Sequence, residues 1–93
     1  MIEQTGDRLR VTVPMVIANA SALLEAGRSH LSAGESVFDL AAVGEADSSS
    51  LTLLFAWQRA ARAKGATLRI ANPPASLVSL AALYGVSELL SLA

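Results

Sequence analysis

Residues 46–54 read Ala46-Asp47-Ser48-Ser49-Ser50-Leu51-Thr52-Leu53-Leu54. An acid and three consecutive hydroxyls stand directly before an apolar run. That is the composition of a helix start, because the first turn leaves N–H groups without partners and Asp or Ser can supply an oxygen to them. The stretch predicts a helix capped by Asp47 or Ser48, running to about Lys64 and stopped by Gly65. Before it, Ser36-Val37-Phe38-Asp39-Leu40 has the apolar character of a strand in a buried sheet. After it, Ala66-Thr67-Leu68-Arg69-Ile70 alternates as a strand.

The pattern extends outward on both sides. Leu9, Val11 and Val13 alternate with Arg8, Arg10 and Thr12, the period of a half-buried strand, until Pro14 closes it. Asn19 or Ser21 can cap a helix through Leu23, Leu24, Ala26, His30 and Leu31, ended by Ala33-Gly34. Asn72-Pro73-Pro74 opens a third helix, with Pro74 in its first turn and Leu77, Leu80, Ala81 and Tyr84 on one face. After Gly85, Val86-Ser87-Glu88-Leu89-Leu90 reads as a last short helical turn. Strand and helix alternate throughout, which predicts one α/β domain over residues 1–93, its helices packed on a mainly parallel sheet.

On the helix after Asp47, Leu53, Leu54, Trp57 and Ala61 share one arc. Leu51 and Phe55 widen it beside Gln58 and Arg62. An arc this wide means either that the domain buries nearly the whole helix or that one flank docks on another protein. Trp57 is the residue that separates these readings, as a core aromatic or as an interface anchor.

Composition excludes several classes. The chain has 93 residues, of which 53% are hydrophobic, 16% charged and 4% aromatic, so Ala, Leu, Val and Ile must build the core. So little charge in so apolar a chain suggests that a partner hides part of its surface. Net charge is −1, far from the basic surplus that neutralises phosphates. Arg59, Arg62, Lys64 and Arg69 cluster where cations favour a helix C-terminus and solvate one face. With no cysteine there is neither a disulfide nor a thiolate metal site. The first residues lack the basic and apolar regions of a secretory signal, and no apolar run reaches the roughly 18 residues of a membrane helix. A cytoplasmic protein is expected.

Catalytic motifs are sparse. His30 is the single histidine and has no acid or cysteine at a recognised catalytic spacing, so it reads as a half-buried helix residue. The serines after Asp47 lack the Gly-x-Ser-x-Gly elbow of a nucleophile. The six glycines are scattered as turns and form no phosphate loop or dinucleotide fingerprint. No cofactor, no metal and no enzymatic activity are expected.

The order strand, acidic loop, Asp47-Ser48-Ser49-Ser50-Leu51, apolar helix, Gly65, strand and Leu83-Tyr84-Gly85-Val86 resembles the STAS domain family, the fold of bacterial anti-sigma-factor antagonists. The resemblance spans essentially the whole chain. It implies a STAS-like α/β domain with a mainly parallel sheet of about four strands. Within the family, the tail from Leu80 to Leu90 and the early stop are most similar to the MlaB branch, small cytoplasmic subunits of an ABC system that maintains lipid asymmetry between Gram-negative membranes.

What that resemblance implies is a non-catalytic protein that binds the ATPase subunit of a phospholipid transporter. Through the ATPase it would meet the membrane permease indirectly and sit peripheral to the inner membrane. The partner-facing residues would be Asp47, Ser48, Ser49, Ser50, Thr52, Phe55 and Arg59, with Thr52 and Arg59 opposite Trp57 on the wheel. By match to the MlaB branch, Ser48 holds the place of a functionally important hydroxyl. By match to the antagonists, Ser49 takes the phosphoacceptor place. This second match implies the alternative function, an anti-sigma-factor antagonist switched by serine phosphorylation. The chain departs from the antagonist pattern at Ser50, which fills a glycine position, and at Pro14, where many relatives have glycine.

Overall fold

The computed structural model describes residues 1–32 and 34–90. Its elements run β1 (Ile2–Thr5), β2 (Arg8–Val11), α1 (Ile17–His30), β3 (Gly34–Asp39), α2 (Ser49–Ala63), β4 (Ala66–Ala71) and α3 (Ala75–Leu83). The strands form one sheet in the order β1-β2-β3-β4. β1 and β2 are an antiparallel hairpin, and β2, β3 and β4 are parallel neighbours. This is the α/β architecture read from the chain, and the described residues hold the four strands that the resemblance implied, with three helices.

The helix positions follow from the connections. Each of α1 and α2 joins two adjacent parallel strands and the sheet advances in one direction, so right-handed crossovers place both on the same face. They pack against each other, and α3 packs against α2. The strand residues facing them, among them Leu9, Val11, Ser36 and Phe38, are buried. The opposite face of the sheet exposes Arg8, Arg10, Glu35, Thr67 and Arg69. Arg8 reaches Asp39 at 3.3 Å and Arg69 reaches Glu35 at 3.7 Å, exposed ion pairs of the kind that contribute less than about 1 kcal/mol each.

Trp57 is a core residue. It is fully buried, its ring centroid lies 4.4 Å from that of Phe38, and its indole N–H donates to the Leu24 carbonyl at 3.3 Å. The ring lies over Gly27 in α1, in space that a Cβ at that position would fill. The domain buries Ser50, Leu51, Leu53, Leu54, Trp57 and Ala61, most of the wide arc of α2, so Trp57 serves the core and is no docking anchor.

Other boundaries differ for physical reasons. β1 has one apolar residue in four and carries little pattern of its own; it exists because Gly6, at φ +63°, lets the chain turn back onto β2. The second strand stops at Val11 rather than Val13, and the N–H and hydroxyl of Thr12 both bond the Met1 carbonyl. α1 starts at Ile17, not at Asn19 or Ser21, and the Asn19 amide donates instead to the Pro14 carbonyl at 2.9 Å. Its helical hydrogen bonds end at His30 with Leu31 as C-cap; Ala33 lies outside the described residues, and Gly34 already belongs to β3. Pro74 is extended and caps α3 from outside its first turn. Tyr84 leaves the buried face of α3 and is exposed, whereas the turn that follows it buries Leu90 completely.

Lys64 shows how the helix layer is tied together. Its ammonium donates to the carbonyls of Arg28 at 3.3 Å and Leu31 at 3.1 Å, so a residue at the end of α2 caps the end of α1. Replacing it with methionine keeps the stem and removes the donors. We expect Lys64→Met to lower the unfolding free energy by about 1 kcal/mol in urea melts, and no change would mean the cap is idle.

Candidate functional site

The parallel strands end on one side of the sheet, and the loops after β2 and β3 meet there, where α/β folds hold their sites. Two segments are stitched together. Met15 donates its N–H to the Glu45 carbonyl at 2.9 Å, and Asp47 donates its N–H to the Met15 carbonyl at 3.2 Å. Met15 and Ala46 thus pair as an isolated parallel bridge, and both are buried.

That bridge brings Asp47 between the starts of two helices. One carboxylate oxygen accepts the N–H of Ile17 at 3.0 Å, at the first residue of α1. The other accepts the N–H of Ser49 at 2.9 Å and the Ser49 hydroxyl. The Asp47 carbonyl accepts the N–H of Ser50 at 3.0 Å and the Ser50 hydroxyl at 2.7 Å. Asp47 is therefore the cap of α2 and of α1 at once. Ser48 makes no side-chain cap bond.

The polar residues of the stretch divide accordingly. Ser48, Thr52 and Arg59 are exposed along one side of α2, and Phe55 and Ser49 are half-buried. Ser50 is wholly buried, so the expected partner contact at Ser50 is corrected: its hydroxyl is used within the turn. Ile17, 74% exposed, adds an apolar side chain beside this tip. The sequence reading missed it because it started α1 later; only the long-range bridge between Met15 and Ala46 shows that α1 begins beside Asp47. His30 is half-buried at the far end of α1, away from this tip.

A second carboxylate organises the neighbouring loop. Asp39 accepts the Ala41 N–H at 2.9 Å and the Asn72 amide at 3.1 Å, besides its contact with Arg8. Asn72 holds this position at φ +52°, a conformation its short polar side chain tolerates. The Ala41 N–H, then the Asn72 amide and Arg8, hold the Asp39 carboxyl below its ordinary range. The Ser49 hydroxyl, then the Ile17 N–H, do the same for Asp47.

Both shifts have the same sign for stability. A carboxyl whose folded pKa lies below its unfolded value contributes fully above the unfolded value, about 3.9, and loses that contribution as pH falls through the folded one. We expect the melting temperature to be level near neutrality and to fall steadily below about pH 4. Asp47→Asn should flatten part of that acid slope in melts followed by circular dichroism. A slope identical to wild type would show that Asp47 does not carry it.

The tip thus presents the hydroxyls of Ser48 and Thr52 on the side of α2 that also exposes Arg59, about three turns beyond Ser48, while the Asp47 carboxylate is used as a cap. Comparison with known proteins agrees with the architecture. The family model described as MlaB, STAS domain, matches residues 2–91. No curated protein matches the chain. Among solved structures, a proposed anti-sigma factor antagonist from Thermotoga maritima superposes with a TM-score of 0.72 at 13% identity, covering 95% of this chain and 80% of that one. A structure of Mglu superposes at 0.59 with 23% identity over 81% of this chain, though over only 20% of the larger protein. Both likenesses establish the fold. With the family model running over nearly its full length, the chain belongs to the STAS domain family, in its MlaB-like branch.

Proposed function

We propose that this protein is a non-catalytic docking subunit that binds the ATPase of an ABC phospholipid transporter serving outer-membrane lipid asymmetry. The observation that carries the reading is the division of labour at the tip. Asp47 and Ser50 are consumed in holding two helix starts, which leaves Ser48, Thr52 and Arg59 displayed on an exposed side of α2. Membership of the MlaB-like branch supports this choice of partner class. Through the ATPase the protein would lie at the cytoplasmic side of the inner membrane, next to the permease; among the described residues no helix is long and apolar enough to cross a membrane itself. A standard interface needs only about 800 Å² from each partner, within reach of one helix side and its adjoining loops.

Ser48 gives the test. Its side chain is exposed and makes no cap bond, so Ser48→Glu should leave the domain folded while placing a charge and bulk in the contact. We expect co-purification with the ATPase to fall at least about tenfold, with an unchanged thermal melt. Full binding by the folded variant would remove Ser48 from the interface, and a lowered melt would make it a structural residue.

The alternative is phosphorylation-switched antagonism of an anti-sigma factor, supported by the fold it shares with the Thermotoga maritima protein. Here Ser49 is the acceptor. Its hydroxyl is bonded to the Asp47 carboxylate, so a phosphate there, carrying a charge of about −1.5 to −2, would meet a like charge at once. The modification would loosen both helix starts together. Intact mass of protein taken from cells distinguishes the two readings: a phosphate on Ser49 supports antagonism, and its absence under growth and stress supports the transporter role.

A further inference from the structure

The flank of α2 beside β4 carries a second feature, which adjoins the docking side and shares Arg59 with it. Two adjoining clefts, each of about 260 Å³, share Gln58, Arg62 and Leu89. One continues along α2 to Phe55 and Arg59, and the other reaches Ala66, Thr67 and Leu68 at the start of β4. Leu89 forms a wall held in place by its own carbonyl, which accepts the Gln58 amide at 3.0 Å, while its side chain stays 63% exposed. β4 is the last strand of the sheet, and among the described residues nothing pairs with its outer side. Arg59 and Arg62 are exposed and, among the described residues, take part in no ion pair.

Unpaired backbone groups, an apolar wall and two free guanidiniums thus lie side by side. We infer that this edge takes an extended acidic segment of a protein partner, added beside β4 as a further strand, its carboxylates meeting Arg62 and Arg59. Strand addition supplies hydrogen bonds to the outward-facing backbone groups, those of alternate residues among the six of β4, and alternate side chains of the added strand point toward α2, where the arginines stand. Charge selects the occupant. A second copy pairing through its own β4 would bring the same arginines to the seam from both sides, an arrangement that like-charge repulsion disfavours. A nucleic acid or a lipid headgroup could meet the arginines but has no peptide backbone to pair with the edge. Natural sheets commonly guard such edges with charge or cover, and here the charge is of one sign along one side.

This inference rests on the docking reading of the chain but uses residues that the Ser48 test leaves in place, so the two can fail separately. A blocked peptide of alternating glutamate and valine, as long as β4, is titrated into the isotope-labelled full chain and followed by amide NMR. The expected result is a saturable shift of the outward amides within residues 66–71, absent with the matching lysine–valine peptide. In the variant Arg59→Glu with Arg62→Glu, whose fold the same spectra report, affinity for the acidic peptide should fall at least about tenfold and the lysine peptide should now bind. Ser48→Glu should bind the acidic peptide as wild type does. The inference is overturned if the acidic peptide leaves β4 unmoved, binds the double variant equally well, or is matched by inorganic phosphate alone. It is also overturned if the β4 amides shift with protein concentration in the absence of peptide, which would mean self-pairing.

Discussion

Gly27→Leu is expected to leave no folded protein, and Gly27→Ala to lower the unfolding free energy by about 2 kcal/mol. In an isolated helix the second change would be favourable, since alanine exceeds glycine in helix propensity by about 1 kcal/mol. Here a Cβ at residue 27 would overlap the indole nitrogen and ring carbons of Trp57. The ring cannot step aside, because it is fully buried between Phe38 and α1 and tied to the Leu24 carbonyl. A domain of this size is stable by about 5–10 kcal/mol, so the larger side chain exceeds what it can absorb. The check is a double-mutant cycle: Trp57→Phe should cost stability alone yet recover part of the loss in the Gly27→Ala background. Additive effects would contradict the contact.

Asp47→Ala is expected to strike stability and binding together. It removes the acceptor for the Ile17 N–H and for the Ser49 N–H and hydroxyl in one change, leaving two helix starts uncapped. The melting temperature should fall by several degrees, and hydrogen exchange should quicken in the first turns of α1 and α2 while the central strands stay protected. Because Ser48 and Thr52 are displayed by the turn that Asp47 holds, ATPase binding should weaken even at temperatures where the variant is fully folded. Asp47→Asn, which keeps one acceptor oxygen, should fall between. Loss of stability with binding intact would separate the cap from the docking surface.

Sequence and structure agree where the causes are local. The helix from residue 49 to residue 63, its stop before Gly65 and the strands on either side of it are all set by neighbouring residues: a polar cap, a broad apolar arc, a glycine at φ +70°. They part where the cause lies far along the chain. Ile17 begins α1 because an aspartate 30 positions later caps it. β1 has almost no apolar pattern and is held by its hairpin partner. Ser50 reads like its neighbours Ser48 and Ser49, and only the geometry of the turn sends its hydroxyl inward. The clefts beside β4 join α2 to a turn that follows α3, and no spacing within either segment reports that.

The measurement that bears most directly on the docking role is affinity capture of the tagged chain from its native cytosol and membranes, with the bound proteins identified by mass spectrometry and repeated with Ser48→Glu. The account predicts an ABC ATPase together with its membrane permease, both lost with the variant. A small serine kinase of the anti-sigma type in place of the ATPase would contradict it.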